Sequence, residues 1–310
     1  MLLVTGGAGF IGSNFLHYLR KVTDEKVLVV DNLTYAADLR FVPEDPQFEF
    51  LWCDITNEKH VNHVFKKYKP KKIFHFAAES HVDNSIKNYR PFLEANVVGT
   101  INLLNASLLV DVDKFHHIST DEVYGSLELD SEDIFTEQTP YDPKNPYSAS
   151  KAASDHFVVT WHNTYGLPYL ITNCSNNYGY HQHVEKLIPK VIFRALKNEV
   201  TYMYGGGHQI RDWLWVEDHC RAIWMLEEQG ILNDRFNIGG DCELPNRTVA
   251  EEILTYMGKS FELIGVSDER PGQDLRYGMS FDKLKRRTGW EPLMSFDDGL
   301  RKTIDWYLAR

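Results

Sequence analysis

The first thirty-one residues restrict the fold more than any other stretch. Met1 to Thr5 is a short apolar run, and Gly6, Gly9 and Gly12 follow it in a GxxGxxG pattern. Ser13 to Lys21 then carries Phe15, Leu16 and Leu19 at helical spacing. A second apolar run, Lys26 to Val30, ends in Asp31, 19 residues beyond Gly12. Strand, glycine turn, helix and a second strand with a terminal acid make a dinucleotide-binding unit. Glycine allows the tight turn and lets backbone N–H groups approach a pyrophosphate at a helix N-terminus. Asp31 can accept both ribose hydroxyls and repels a 2′-phosphate, and Arg40 lies too far along to receive one. The cofactor implied is NAD.

The alternation continues. Phe48 to Cys53 is a third strand; Asp54 and Ile55 at its end suit the adenine edge, while Asp54 reads equally as the cap of a helix starting near Asn57. Lys72 to Phe76 is a fourth strand, and Ala77 and Ala78 after it are small enough for the chain to pass close to a cofactor. Arg90 to Leu109 reads as a long helix with Asn96 early in it, and Lys114 to Ile118 as a buried strand ending at Ser119-Thr120-Asp121-Glu122. Leu167 to Thr172 is a further strand. This order implies an α/β fold: a Rossmann-type doubly wound parallel sheet with a smaller mixed α/β C-terminal substrate domain. Residues 1–176 form the NAD-binding part, with later returns near 213–240, and 177–310 the interleaved substrate part. Thr201 to Gly207, Phe236 to Gly240 and Phe261 to Gly265 read as short strands there, and Trp213 and Trp215 alternate so that one faces in, with core packing as their expected use.

Lysine plus arginine number 33 against 44 acidic residues, a net charge of −11. Neither a nucleic acid nor an anionic membrane is therefore an expected partner. No apolar run reads as long enough to span a bilayer. Four scattered cysteines and an N-terminus that enters a strand directly suggest a reducing, cytoplasmic setting. His181 and His183 read as loop residues, and no metal is expected.

Tyr147 and Lys151 are four apart, so on a helix they share a face. A lysine ammonium beside a phenol lowers the phenol's pKa, which would make Tyr147 a base near neutrality. Asp121 and Glu122 are adjacent; on a strand they would point to opposite sides, so the chain must turn for both to reach one ligand.

Together, TGGAGFIG, AAESHVDNS, STDEVYG, YSASK, NCSNNYG, EKLIP, QIRDWLWVEDH, FNIGG and ERPGQDLRY resemble the extended short-chain dehydrogenases. Within them the chain is similar to the dTDP-glucose 4,6-dehydratases, and TDEVYG is the discriminating piece. The resemblance implies a catalytic set of Thr120, Asp121, Glu122, Tyr147 and Lys151. Tyr147 would take the C4 hydroxyl proton while hydride leaves C4 for NAD. Glu122 would remove the C5 proton, protonated Asp121 would donate to the leaving C6 hydroxyl, and hydride would return to C6. The two carboxyls then need environments that keep one neutral and one charged. The implied NAD contacts add Phe10, Ile11, Asn32, Thr34 and Ser80 to those above, with Tyr147 and Lys151 also touching the cofactor. The implied contacts to dTDP-glucose are Ser80, His81, Asn176, Glu185, Lys186, Arg211, Asn246, Arg270 and Tyr277; for Arg211 a salt bridge with Asp212 is the competing use. A homodimer through the helices Arg90 to Leu109 and Ser148 to Tyr165 is implied as well. Tyr180 and Val184 stand among positions where relatives carry prolines, which questions the rigidity of that loop, and Tyr202 replaces another proline near the base. UDP-glucose 4,6-dehydration, 4-epimerisation and a non-catalytic NAD-binding sensor remain alternatives.

Overall fold

The computed structural model describes all 310 residues. The N-terminal elements are β1 (Leu2–Thr5), α1 (Phe10–Val22), β2 (Val27–Asp31), β3 (Phe48–Trp52), α2 (Glu58–Tyr68) and β4 (Lys72–His75). Then come α3 (Val82–Lys87), α4 (Arg90–Phe92), α5 (Thr100–Leu109), β5 (Lys114–Thr120), α6 (Pro146–Tyr165) and β6 (Tyr169–Cys174). A π-helical stretch, Leu93–Gly99, joins α4 to α5, so Arg90–Leu109 is one continuous helix.

Seven parallel strands form the main sheet in the order β10-β6-β5-β4-β1-β2-β3, where β10 is Asp234–Ile238. Its inner strands, β1, β2, β4, β5 and β6, are buried on both faces, while the edge strand β3 is partly exposed. On one face Phe15, Leu16 and Leu19 of α1 pack with Ile223 and Leu226 of a later helix. On the other, α2, α5 and α6 supply Val61, Phe65, Leu103 and Val158. At 20 residues, Arg90–Leu109 is long and apolar enough to cross a bilayer, contrary to the reading of the sequence. Here α5 packs between α2 and α6.

The remaining elements are β7 (Asn176–Tyr178), α7 (Leu187–Leu196), β8 (Thr201–Tyr204), β9 (Ile210–Trp215), α8 (Val216–Glu228), β10, β11 (Glu243–Pro245), α9 (Asn246–Tyr256), β12 (Ile264–Ser267), α10 (Asp282–Thr288) and α11 (Phe296–Leu308). β9 lies between β11 and β7, and β8 pairs with β12. Phe261–Leu263, expected as a strand, is a 3-10 turn capped by Ser260, and the strand begins at Ile264. Trp213 and Trp215 are both buried, because residues two apart on a strand share one face. β9 is a central strand, and Tyr178, Tyr180 and Phe296 close over the indoles.

Candidate active site

The carboxyl ends of β1 to β6 open into one cavity of about 440 Å³, within the range of small-molecule sites. Its floor is the glycine turn. Gly6 has φ +68°, and a Cβ there would lie 2.6 Å from the Ala77 amide nitrogen. A Cβ on Gly12 would fall 2.1 Å from the Gly6 carbonyl oxygen. Gly9 differs: its Cβ would meet only that same oxygen, at 3.3 Å, so what it leaves free is space beside the cavity. Asp31 fastens the turn, because Oδ2 accepts from Ala8 N (3.0 Å) and Oδ1 from Leu33 N (2.8 Å).

Of the expected cofactor contacts, Phe10, Ile11, Asn32, Thr34, Asp54, Ile55, Ala77, Ala78 and Ser80 line the cavity beside these glycines and Asp31. Asp54 does not cap α2; its Oδ1 accepts from Thr56 N and Oγ, and Asn57 is the cap. Asn96 is a correction. It is 1% exposed, and its amide bonds both the N–H and the carbonyl of Glu79 and the Ser150 hydroxyl. It therefore holds the loop behind the cavity instead of lining it.

The catalytic candidates meet at one rim. β5 runs to Thr120 and turns at once into a 3-10 turn, Asp121–Tyr124, with the Thr120 hydroxyl accepting from Glu122 N at 3.3 Å. Gly125 ends the turn at φ +92°, where a Cβ would lie 2.6 Å from the Asp142 carbonyl oxygen. That turn is what brings both carboxyls to one cavity. Asn145 and Ser148 form a reciprocal capping box with Pro146 at the first helical position, which plants Tyr147 at the start of α6.

Asp121 is buried; Oδ1 accepts from the Thr120 hydroxyl (3.1 Å) and Oδ2 has no partner. Burial, and then the charge of Glu122, push its pKa well above the carboxylate range. Burial and Asp274 raise Glu122 too, but Arg211, Lys186 and Arg270 oppose them. Both carboxyls are raised, Asp121 well above the carboxylate range and Glu122 against the opposition of three cations.

Tyr147 departs from expectation. Its phenol is pushed well above its ordinary value, first by burial and then by Glu122. Lys151 does not acidify it, because the ammonium is turned toward β5 and donates to the Ile118 carbonyl oxygen at 2.8 Å.

Ser80, Asn176, Glu185 and Lys186 line the cavity; His81, Arg211, Asn246, Arg270 and Tyr277 do not. His81 lies behind Glu185, whose Oε2 is 3.7 Å from both His81 Nε2 and His183 Nδ1. No cluster has the makings of a metal site. Arg211 makes no pair with Asp212; it donates to the carbonyls of Ile210 and Asp274 and lies over the Tyr277 ring. Asp212 instead accepts from the backbone of Gly240 and Cys242. Arg270 pairs with Asp83 at 2.9 Å, and Tyr277 donates to Asp274. Asn246 begins α9, its N–H donating to the Gln209 carbonyl.

Sequence reasoning missed Asn145, whose Nδ2 is 3.5 Å from Glu122 Oε2; an Asn just before Pro146 was its signal. It also missed the fastening of the loop without prolines. The His181 ring stacks on Phe41 at 4.1 Å and Nδ1 bonds the Ser13 hydroxyl at 2.9 Å. Asn14 donates to the Tyr180 carbonyl, Gln182 to that of Asn177, and Tyr307 to that of Gln182.

Residues 3–303 match the GDP-mannose 4,6 dehydratase family. The dTDP-glucose 4,6-dehydratase of Haemophilus influenzae is 46% identical, over 99% of this chain and 97% of that protein. The dTDP-glucose 4,6-dehydratase of Streptomyces venezuelae, solved with NAD bound, superposes with a TM-score of 0.95 at 40% identity, covering 99% of this chain and 97% of that one. The UDP-glucose 4-epimerase of Thermus thermophilus, also solved with NAD, gives 0.90 at 30% identity, covering 99% and 98%.

Proposed function

The chain belongs to the dTDP-glucose 4,6-dehydratases within this nucleotide-sugar dehydratase family, and from that membership we propose that it converts dTDP-glucose to dTDP-4-keto-6-deoxyglucose. The observation that carries the reading is the pair at the end of β5. A neutral Asp121 sits beside a Glu122 within reach of three cations, opposite Tyr147 and in the cavity of the glycine turn.

The cavity fits NAD. Its turn has no room for a Cβ at Gly6 or Gly12, its Gly9 side is clear, and Asp31 stands at the ribose end of β2. Bound there, NAD supplies a hydride acceptor that oxidises C4 and gives the hydride back at C6. Tyr147 takes the C4 hydroxyl proton only as the phenolate, so it must first release the proton that burial holds on it, with Thr120 and Lys151 beside it. The resulting ketone acidifies C5, whose proton Glu122 accepts. Asp121 gives its proton to the C6 hydroxyl, which leaves as water. Each positioned acid or base contributes about 10²–10⁴ in rate. Lys186, held by the Ser80 carbonyl at 2.8 Å, supports the sugar-nucleotide side, with Arg211 and Arg270 behind it. Exposed Leu93, Val98, Leu109 and Tyr165 on Arg90–Leu109 and α6 support a homodimer, and four free thiols suit a cytoplasmic protein.

The test is a mass spectrum of dTDP-glucose and UDP-glucose after incubation with the purified protein and no added NAD. Loss of one water from the dTDP sugar is expected. Loss from the UDP sugar alone would move the substrate, and two unchanged masses with bound NAD confirmed would overturn the dehydratase reading.

A further inference from the structure

A buried ammonium needs a counter-charge, and Lys151 has none in direct contact. Its Nζ reaches only the Ile118 carbonyl oxygen, at 2.8 Å, and His117 Nε2, at 3.4 Å. The same Nε2 lies 3.2 Å from Oδ1 of Asp155, one helical turn beyond Lys151 on α6. All three side chains are buried, His117 and Asp155 completely. Asp155 Oδ2 accepts from the Tyr141 hydroxyl at 2.5 Å and from Asn173 Nδ2 at 3.4 Å. The same Asn173 amide donates to the Thr120 carbonyl at 3.0 Å, which ties this network to the catalytic turn. The chemistry proposed above uses neither His117 nor Asp155.

We propose that His117 and Asp155 are a positioning pair for Lys151: the imidazole aims the ammonium at the end of β5, and Asp155 supplies the charge that keeps it protonated. This rests on the roles given above to Tyr147 and Lys151. The groups around the lysine leave Asp155 as the anion available. Cys174 on β6 has its thiol pushed up to about 12, so it is neutral, and the Tyr147 phenol is raised. His75 on β4, with its ring 5.2 Å from that of His117, is driven neutral by burial, and Arg235 on β10 lies 4.7 Å over the Tyr141 ring. Burial brings Lys151 down to about 8, and Asp155 is the largest influence opposing it. Asp155 is held down to about 2 by His117 and its neighbours, and His117 down to about 4 by burial. A neutral imidazole thus lies between an anion and a cation. Nε2 serves one group at a time, as donor to Asp155 or acceptor from Lys151, and the Ser154 hydroxyl, at 3.2 Å, is a third candidate for it.

The test is a titration of the purified holoenzyme labelled with 13C at lysine Cε, with the Lys151 signal assigned from Lys151→Met. Asp155→Asn should lower the Lys151 pKa by about one pH unit or more, a tenfold loss of the charged form above it. The alkaline limb of kcat should move down equally, with KM for dTDP-glucose within about twofold. A lysine pKa and a limb that stay at wild-type values while kcat falls evenly would overturn the proposal. If Asp155→Asn does not fold, His117 carries the test. His117→Gln keeps an acceptor for Lys151 and a donor for Asp155 and should hold kcat within about threefold, whereas His117→Leu should lose about tenfold or more. Equal activity of the two would overturn the proposal. Wild-type protein that releases no water from dTDP-glucose refutes the dehydratase reading, a separate outcome from an unmoved Lys151.

Discussion

Gly6, Gly9 and Gly12 bring bare backbone to the nucleotide end of the cavity, whereas the sugar end is walled by side chains from segments as distant as Ser80 and Lys186. The first kind of wall is intolerant, because the groups that would clash are fixed by the sheet. The second is adjustable, since long side chains can reorient around a ligand. The difference teaches that cofactor binding here fails by collision, while substrate handling is graded by charge.

Gly12→Ala should break the nucleotide end outright. Its Cβ would sit 2.1 Å from backbone oxygen, so NAD in a denatured extract and water loss from dTDP-glucose should both vanish. Gly9→Ala, whose Cβ has 3.3 Å, should keep the fold and weaken only NAD retention. Equal damage from the two would erase the distinction between steric and spatial glycines. At the sugar end, Asp121→Asn and Glu122→Gln should each lower kcat by about 10²–10⁴ with NAD still bound. Deuterium uptake at C5 from heavy water separates them: it should disappear with Glu122→Gln and persist with Asp121→Asn.

Acid stability compares the main sheet with the elements beside it. His75, His116 and His117 in the sheet, and His181 in the loop after β7 and His219 on α8, are all driven by burial below the usual histidine range, to about 4 for His117 and about 3 for His181 and His219. Unfolded histidines bind protons below about pH 6.5, which these do not until more acid pH, so the unfolded chain binds more protons and stability falls on acidification. The thermal midpoint should hold above about pH 7 and drop steeply from about 6.5 to 4. A flat profile in that window would contradict the neutral burial of these rings. The smallest effect is expected for His181→Ala. Losing its stack on Phe41 and its bond to Ser13 should raise KM for dTDP-glucose about three- to tenfold, with kcat nearly unchanged. An unaltered KM would mean that Asn14, Gln182 and Tyr307 suffice to hold the loop.

By itself the sequence determined the parallel sheet, the glycine turn, the acid at Asp31 and the Tyr147–Lys151 spacing. Each depends on residues within about thirty positions of one another, where period, chain stiffness and glycine sterics leave few outcomes. It also placed Asp121 and Glu122 side by side and required a turn for both to face one ligand. Tertiary structure decided what those groups experience. Burial and Glu122 raised the Tyr147 phenol that Lys151 was expected to acidify, because α6 turns the ammonium toward Ile118 and His117. Asn96 became a brace, Arg211 a clamp on backbone carbonyls, and both Trp213 and Trp215 core. Aromatic stacking and side-chain bonds fasten the loop that lacks its prolines. A pKa, an ion pair or a stack is set by whatever packs within a few ångströms, and partners here can lie 187 positions apart, as Asp83 and Arg270 do. No local pattern in the chain encodes such meetings; only the packing of distant segments around one cavity creates them.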